Sequence, residues 1–186
     1  MISVVMLSSC GVQYHFTGNG EQRHDSSYVY ELPYEAGRAR FLIQGYNSLF
    51  SHKHQLALDL RMKKGSSVIA ARSGVVVRLE EGFTRGGVSK KYFRKANQVV
   101  VRHNDGSMAY YGHLLHNGVL VNLGDTVQQG QVIAKSGSTG YSALPHLHFI
   151  VWGPTKNGRG PLPTRFRTTK GIRYLKPGKW YKRPKV

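Results

Sequence analysis

The chain has 186 residues, with 27 Lys and Arg against 9 Asp and Glu and a formal net charge of +18 with the histidines neutral. That length buries one sizeable core and does not call for a second domain. A lone cysteine excludes an intramolecular disulfide and a thiolate zinc cluster; no apolar run is long enough for a membrane-spanning helix, and the charge calls for an anionic partner.

The first ten residues end in Leu7, Ser8, Ser9 and Cys10, which resembles the lipobox of bacterial lipoproteins. On that reading, residues 1–10 are the remainder of an export signal and Cys10 is the acylated residue. The apolar part is only about seven residues and no Lys or Arg precedes it, so either the signal starts further upstream, which is the expectation, or Cys10 is a coincidence. Residues 11–40 are polar without strong periodicity and read as a tether or as a segment laid over the domain. The domain itself is expected over 41–186, ending in a basic extension that mixes Lys and Arg with Tyr174, Trp180 and Tyr181.

Within the domain, Gln55 to Met62 is an apolar segment carrying Asp59, the only acid between Glu35 and Glu80. Runs rich in β-branched residues follow at 67–70, 75–79 and 98–102 and read as strands. Between the last two, Gly82 to Asn97 is rich in Gly, Lys and Arg and reads as a long loop, either a wall of a groove or a solvated insertion. Turns are expected at Asn104–Gly106, His116–Gly118 and Gly124–Asp125. No stretch shows sustained helical periodicity, so the chain is expected to be mainly β, an antiparallel sheet folded as a sandwich or barrel. In the strand ending at His113, Tyr110 and Tyr111 face opposite ways, one toward the core and the other toward a groove. His103 and His116 are expected at the surface or in turns.

His146 and His148 carry the functional argument. On a strand they share one face, while Leu147, Phe149 and Val151 turn to the core and stiffen it. Such a pair alone serves more often as solvated or hydrogen-bonded groups than as metal ligands. Asp59 changes that reading, because an unpaired carboxylate in an apolar run is costly to bury. Two His and one Asp suffice for a catalytic zinc site that keeps its fourth position open.

Seven stretches then fall in one order: Ser51–His52, Ala57–Asp59, Ala70–Val76, Tyr111–Leu114, Gly124–Ile133, Ser136–Gly140 and Pro145–Phe149. With this order and spacing the chain resembles the LytM or lysostaphin-type zinc metalloendopeptidases, which cut peptides of the bacterial cell wall. The resemblance implies a β-sheet around a groove floored by one zinc ion per chain. It implies His52, Asp59 and His148 as ligands. In the compact form of the motif the ligand histidine lies four residues before the aspartate, where this chain has Gln55; His52 fits a longer form, and His54 is the alternative. Odd separations put both histidines on the face opposite Asp59 in a continuous strand, so a bend must intervene.

His113 and His146 are then expected beside the zinc as catalytic groups, one moving the proton of the attacking water to the leaving amine and the other facing the developing oxyanion. The glycines of Ser136–Gly140 either let a substrate approach the backbone or serve tight turning. The resemblance implies peptidoglycan peptides as substrate and a periplasmic place, anchored by lipid at Cys10. A silent relative that activates another wall hydrolase is the alternative, and a basic nucleic-acid binder, supported only by charge and the aromatic tail, is not expected. Whether the bond cut joins D-alanine to a diamino acid or lies in a glycine bridge stays open.

Overall fold

A computed structural model describes residues 28–48, 52–53, 55–155 and 157–185, with the backbone of 14–15 and 24–25. Cys10, Ser51 and His54 lie outside the described residues. In chain order the strands are β1 (Tyr14–His15), β2 (His24–Asp25), β3 (Val29–Glu31), β4 (Ala39–Gln44), β5 (Ala57–Arg61), β6 (Ser67–Ile69) and β7 (Gly74–Glu80). Then come β8 (Gly86–Gly87), a single 3-10 turn (Lys90–Tyr92), β9 (Gln98–Arg102), β10 (Met108–Gly112), β11 (Leu114–Val119), β12 (Thr126–Val127) and β13 (Val132–Ser136). β14 (Gly140–Tyr141), β15 (His146–Thr155), β16 (Gly158–Leu162), β17 (Arg165–Thr168), β18 (Gly171–Arg173) and β19 (Lys179–Lys182) complete the chain.

The main sheet has nine strands in the order β12-β7-β9-β10-β15-β5-β4-β19, with β16 also paired to β15. Its pairings are all antiparallel, as the alternating runs require. On β15, Leu147, Phe149 and Val151 face the core, and on the two flanking strands Leu58, Leu60, Ala109 and Tyr111 join them. The ring of Phe149 sits 5.2 Å from that of Tyr111 and 5.7 Å from that of Phe166. The Tyr111 hydroxyl accepts a 2.8 Å hydrogen bond from the Ala71 amide, so its polar end is satisfied inside the core.

The segment from Tyr28 to Arg40 is built into this core. Tyr30, Leu32 and Tyr34 are buried in it, and β3 pairs in parallel with β17. The basic C-terminal stretch is likewise folded: β19 closes one edge of the main sheet against β4, and Arg183 reaches Glu31 and donates to the Tyr34 carbonyl at 3.0 Å. Lys179 and Lys182 on this edge discourage pairing with another chain.

Two expectations need correction. His116–Gly118 is not a connecting turn but an irregularity inside β11, with Asn117 at φ 50°. His103 is not at the surface: it is 3% exposed, its Nδ1–H donates to the Ser73 carbonyl at 2.8 Å, and its ring meets Tyr30 edge-on. It is buried because β3 covers the end of the β9–β10 hairpin. His116 is exposed as expected.

Burial pushes the His103 pKa down to about 4, with the Arg72 charge adding to the fall and the Ser73 hydrogen bond opposing it. The unfolded chain therefore binds a proton that the folded one refuses between pH 6.5 and about 4. His103 lets the fold keep its full stability above pH 6.5, and about 3 kcal/mol is expected to be lost as pH falls to 4. Denaturant unfolding at several pH values should show a shallower loss in His103→Gln, and an identical slope would refute the assignment.

Candidate metal centre

Asp59 on β5 stands directly opposite His148 on β15, and His148 stands opposite Gly112 on β10. The alternation that sends Leu58, Leu60, Leu147 and Phe149 inward thus sends Asp59, His146 and His148 to the other face together. His148 Nδ1 lies 2.8 Å from Asp59 Oδ1, and His146 Nε2 lies 3.5 Å from the same oxygen. A side chain at Gly112 would strike the Tyr110 ring at 2.5 Å. Glycine there lets Tyr110 lie beside His148, 5.9 Å between ring centroids, so Tyr110 faces the groove while Tyr111 fills the core.

His52 arrives from the connection between β4 and β5. The chain leaves β4 at Gly45, folds back through hydrogen bonds from Asn47 N to Gln55 O and from Gln55 N to His52 O, and re-enters the sheet at Ala57. This excursion is the bend that the odd spacing demanded. It sets His52 Nε2 3.1 Å from Asp59 Oδ2 with both side chains about 95% or more buried.

Backbone carbonyls fix the imidazoles. A carbonyl only accepts, so the ring nitrogen facing one carries the proton. His52 Nδ1 faces Gly45 O at 3.2 Å, His113 Nδ1 faces Thr139 O at 2.7 Å and His146 Nδ1 faces Leu144 O at 2.8 Å. On a neutral ring this leaves the lone pair on Nε2; for His52, the Asp59 carboxylate 3.1 Å from Nε2 favours a second proton there when no cation is bound. His113 holds its ring there from a left-handed backbone, φ 60°, between β10 and β11; such a conformation in a residue with a side chain is stored strain of the kind found at functional sites.

Burial, then the neighbouring charges of His146 and His148, pushes the His113 pKa down to about 3. Burial also lowers His146, against the attraction of Asp59. For His52, burial is outweighed by the hydrogen bond and charge of Asp59, and its pKa rises. Asp59 is held well below the usual carboxylate range: burial opposes ionisation, but hydrogen bonds from His148 and His52 prevail.

Two overlapping sets bring ligand atoms within 4.8 Å of one another: His52, Asp59 and His148, and His113, His146 and His148. The first contains a nearly buried carboxylate that no Lys or Arg neutralises among the described residues, which leaves it in need of a cation. His52 Nε2 stands 3.1 Å from Asp59 Oδ2 and His148 Nδ1 stands 2.8 Å from Asp59 Oδ1, nitrogen-to-carboxylate spacings near the roughly 3.3 Å that separates ligand atoms around a zinc ion at 2.0 to 2.1 Å. Two imidazoles and a carboxylate fit a zinc site with one open position.

Sequence reasoning missed Gln44, whose Nε2 donates to Asp59 Oδ2 at 2.9 Å. Leu42 pairs with Leu60 in the core, and simple alternation would put Gln44 on that same face. A register shift between Leu42 and Gln44 opposes Gln44 to Asp59 instead, as a bulge does when it re-aims a side chain.

The walls come from two loops clamped together. A cleft of about 790 Å³ over the cluster is lined by Ile43, Val88, Tyr141 and Leu144 as well as the polar groups. A second, of about 540 Å³, shares Gln55, His113, Tyr141 and His148 with it, so one groove crosses the site. The 82–97 segment walls this groove and is no loose insertion: β8 pairs with β14, and Phe93 packs on Tyr141 at 4.5 Å. Fully buried Asn97 ties its base to Phe83 through both amide atoms. The nearby glycines serve close packing: a Cβ at Gly137 would meet the Leu114 backbone at 2.6 Å, and Gly140 combines φ 77° with Ala96 at 2.7 Å.

The chain is similar to known proteins over much of this region. A glycyl-glycine endopeptidase of Staphylococcus capitis is 35% identical over 132 residues, 69% of this chain and 32% of its own length. A peptidoglycan DD-endopeptidase of Vibrio cholerae is 35% identical over 101 residues, 53% of this chain and 21% of its own. The chain thus spans a third or less of either relative. A solved zinc-containing peptidase from Vibrio cholerae aligns with TM-score 0.51 at 23% identity, over 78% of this chain and 44% of that one, a likeness of fold. The sequence pattern of Peptidase family M23 matches residues 52–160, more than half of the chain, and the chain belongs to that family.

Proposed function

We propose that this chain is a zinc metalloendopeptidase that hydrolyses peptide crosslinks of bacterial peptidoglycan, with His52, Asp59 and His148 as metal ligands and His113 and His146 as catalytic groups. The observation that carries the reading is the Asp59 carboxylate, nearly buried among imidazoles and with no Lys or Arg beside it among the described residues. Bound there, zinc supplies a Lewis acid that polarises the scissile carbonyl and acidifies water. Gln44 orients the carboxylate, and the Gly45 carbonyl holds the His52 tautomer that presents Nε2.

His113 and His146 are kept neutral by burial, so each Nε2 is an acceptor near the metal set at neutral pH. One of them takes the proton of the attacking water and returns it to the leaving amine. The groove across the site admits an extended peptide, and both curated relatives described above are named for cleaving peptide bonds.

The reading extends to place. A chain that acts on the wall is exported, and Cys10 is the residue through which a lipid holds it at a membrane, with the basic surface turned to the anionic wall. Purified sacculi incubated with the zinc-loaded protein are expected to lose crosslinked muropeptides while the glycan strands keep their length. Shortened glycans, or no release without a partner hydrolase, would reject the endopeptidase. In cells, fatty-acid label is expected on the chain and absent from Cys10→Ala; label on neither would reject the anchor.

A further inference from the structure

Among the described residues, the groove wall carries one cation that the catalytic reading does not use. Arg94 lines the cleft that also holds His113 and His148, among Phe93, Tyr110, Tyr141 and Trp152. Its backbone is left-handed, φ 59°, where glycine would be unstrained and a long side chain is not. Both sides of it are clamped. Phe93 packs tilted against Tyr141, the Lys95 amide donates to the Tyr92 carbonyl at 3.2 Å, and Ala96 packs against Gly140.

The Arg94 side chain forms no hydrogen bond or ion pair among the described residues. Nothing in its own segment can neutralise it. From Gly82 to Asn104 the chain has Arg85, Lys90, Lys91, Arg94, Lys95 and Arg102 and no Asp or Glu. A planar guanidinium presented from a fixed backbone into a partly aromatic cleft matches a carboxylate through two parallel N–H bonds.

We propose that Arg94 forms a carboxylate-binding subsite, which receives an acidic group on the substrate residue beside the scissile amide. This deepens the peptidase reading above and rests on it for the identity of the substrate. It selects among crosslinks on chemical grounds. A diamino acid whose crosslinked amine sits on a carbon that also bears a carboxylate offers that group next to the bond. A glycine bridge offers none at any interior position.

The test uses two synthetic crosslinked peptides, D-alanine joined through such an amine, alike except that the neighbouring carboxylate is free in one and a primary amide in the other. Binding is read by calorimetry on the full chain, zinc-free and zinc-loaded, and hydrolysis is read separately. The carboxylate form is expected to bind about 10-fold or more tightly, the scale of a charge-assisted pair. That ratio should collapse toward one in Arg94→Gly, which suits the left-handed backbone, and recover only in part in Arg94→Lys, which keeps charge without the fork. A ratio unchanged in Arg94→Gly, or no preference in the wild type, overturns the subsite. A wild type that prefers the carboxylate form yet cleaves neither peptide supports the subsite and refutes the peptidase.

Discussion

Asp59→Ala is expected to leave a folded chain that purifies without zinc and releases no wall peptide. Losing an outer partner of a metal ligand typically lowers affinity about 10- to 100-fold, and Gln44→Ala belongs in that range because its 2.9 Å hydrogen bond only orients the carboxylate. If Asp59 is a ligand, it contributes both an oxygen and, among the described residues, the one negative charge at the cluster, so its removal should lower affinity by more than about 100-fold. The fold should survive, because the neighbours that build the core, Leu58 and Leu60, point the other way. Metal analysis after gel filtration and far-ultraviolet circular dichroism separate loss of zinc from loss of structure. Stoichiometric zinc in Asp59→Ala would remove the carboxylate from the ligand set and leave His113, His146 and His148 as the alternative grouping.

The cluster was legible in the sequence where alternation is strict. Asp59 sits between Leu58 and Leu60, and His148 between Leu147 and Phe149, so each strand states which way its polar residue faces, and the sheet needed only to pair them. His52 was legible through the resemblance and through parity, which demanded an excursion without giving its course. Gln44 was not, because a bulge reverses the face that alternation assigns it. His103 was misplaced for a different reason: its burial depends on Tyr30, contributed by a segment whose polar, aperiodic sequence hides three residues that enter the core. Local pattern does not encode a cover that comes from 73 residues away. The 82–97 segment shows the same limit, since its clamp to β14 depends on two glycines meeting across a parallel pair, Gly86 and Gly140.

His113→Ala and His146→Ala should separate metal binding from chemistry. Both rings are tethered at Nδ1 to carbonyls of the flanking loops, Thr139 and Leu144, and neither belongs to the carboxylate-containing ligand set. Zinc should therefore stay near one per chain in each variant. Turnover of crosslinked muropeptides should fall about 100-fold or more, the scale on which a positioned acid, base or oxyanion donor acts. The two losses should be far from additive in the double variant if the histidines act on one transition state, because the first substitution already removes most of what the second supports. The burial that holds both rings below the ordinary imidazole pKa also predicts that raising the pH above neutrality does not increase wild-type turnover through them, since they are already neutral there. Loss of zinc in His146→Ala, with zinc retained in His148→Ala, would reverse the roles assigned to the pair on β15.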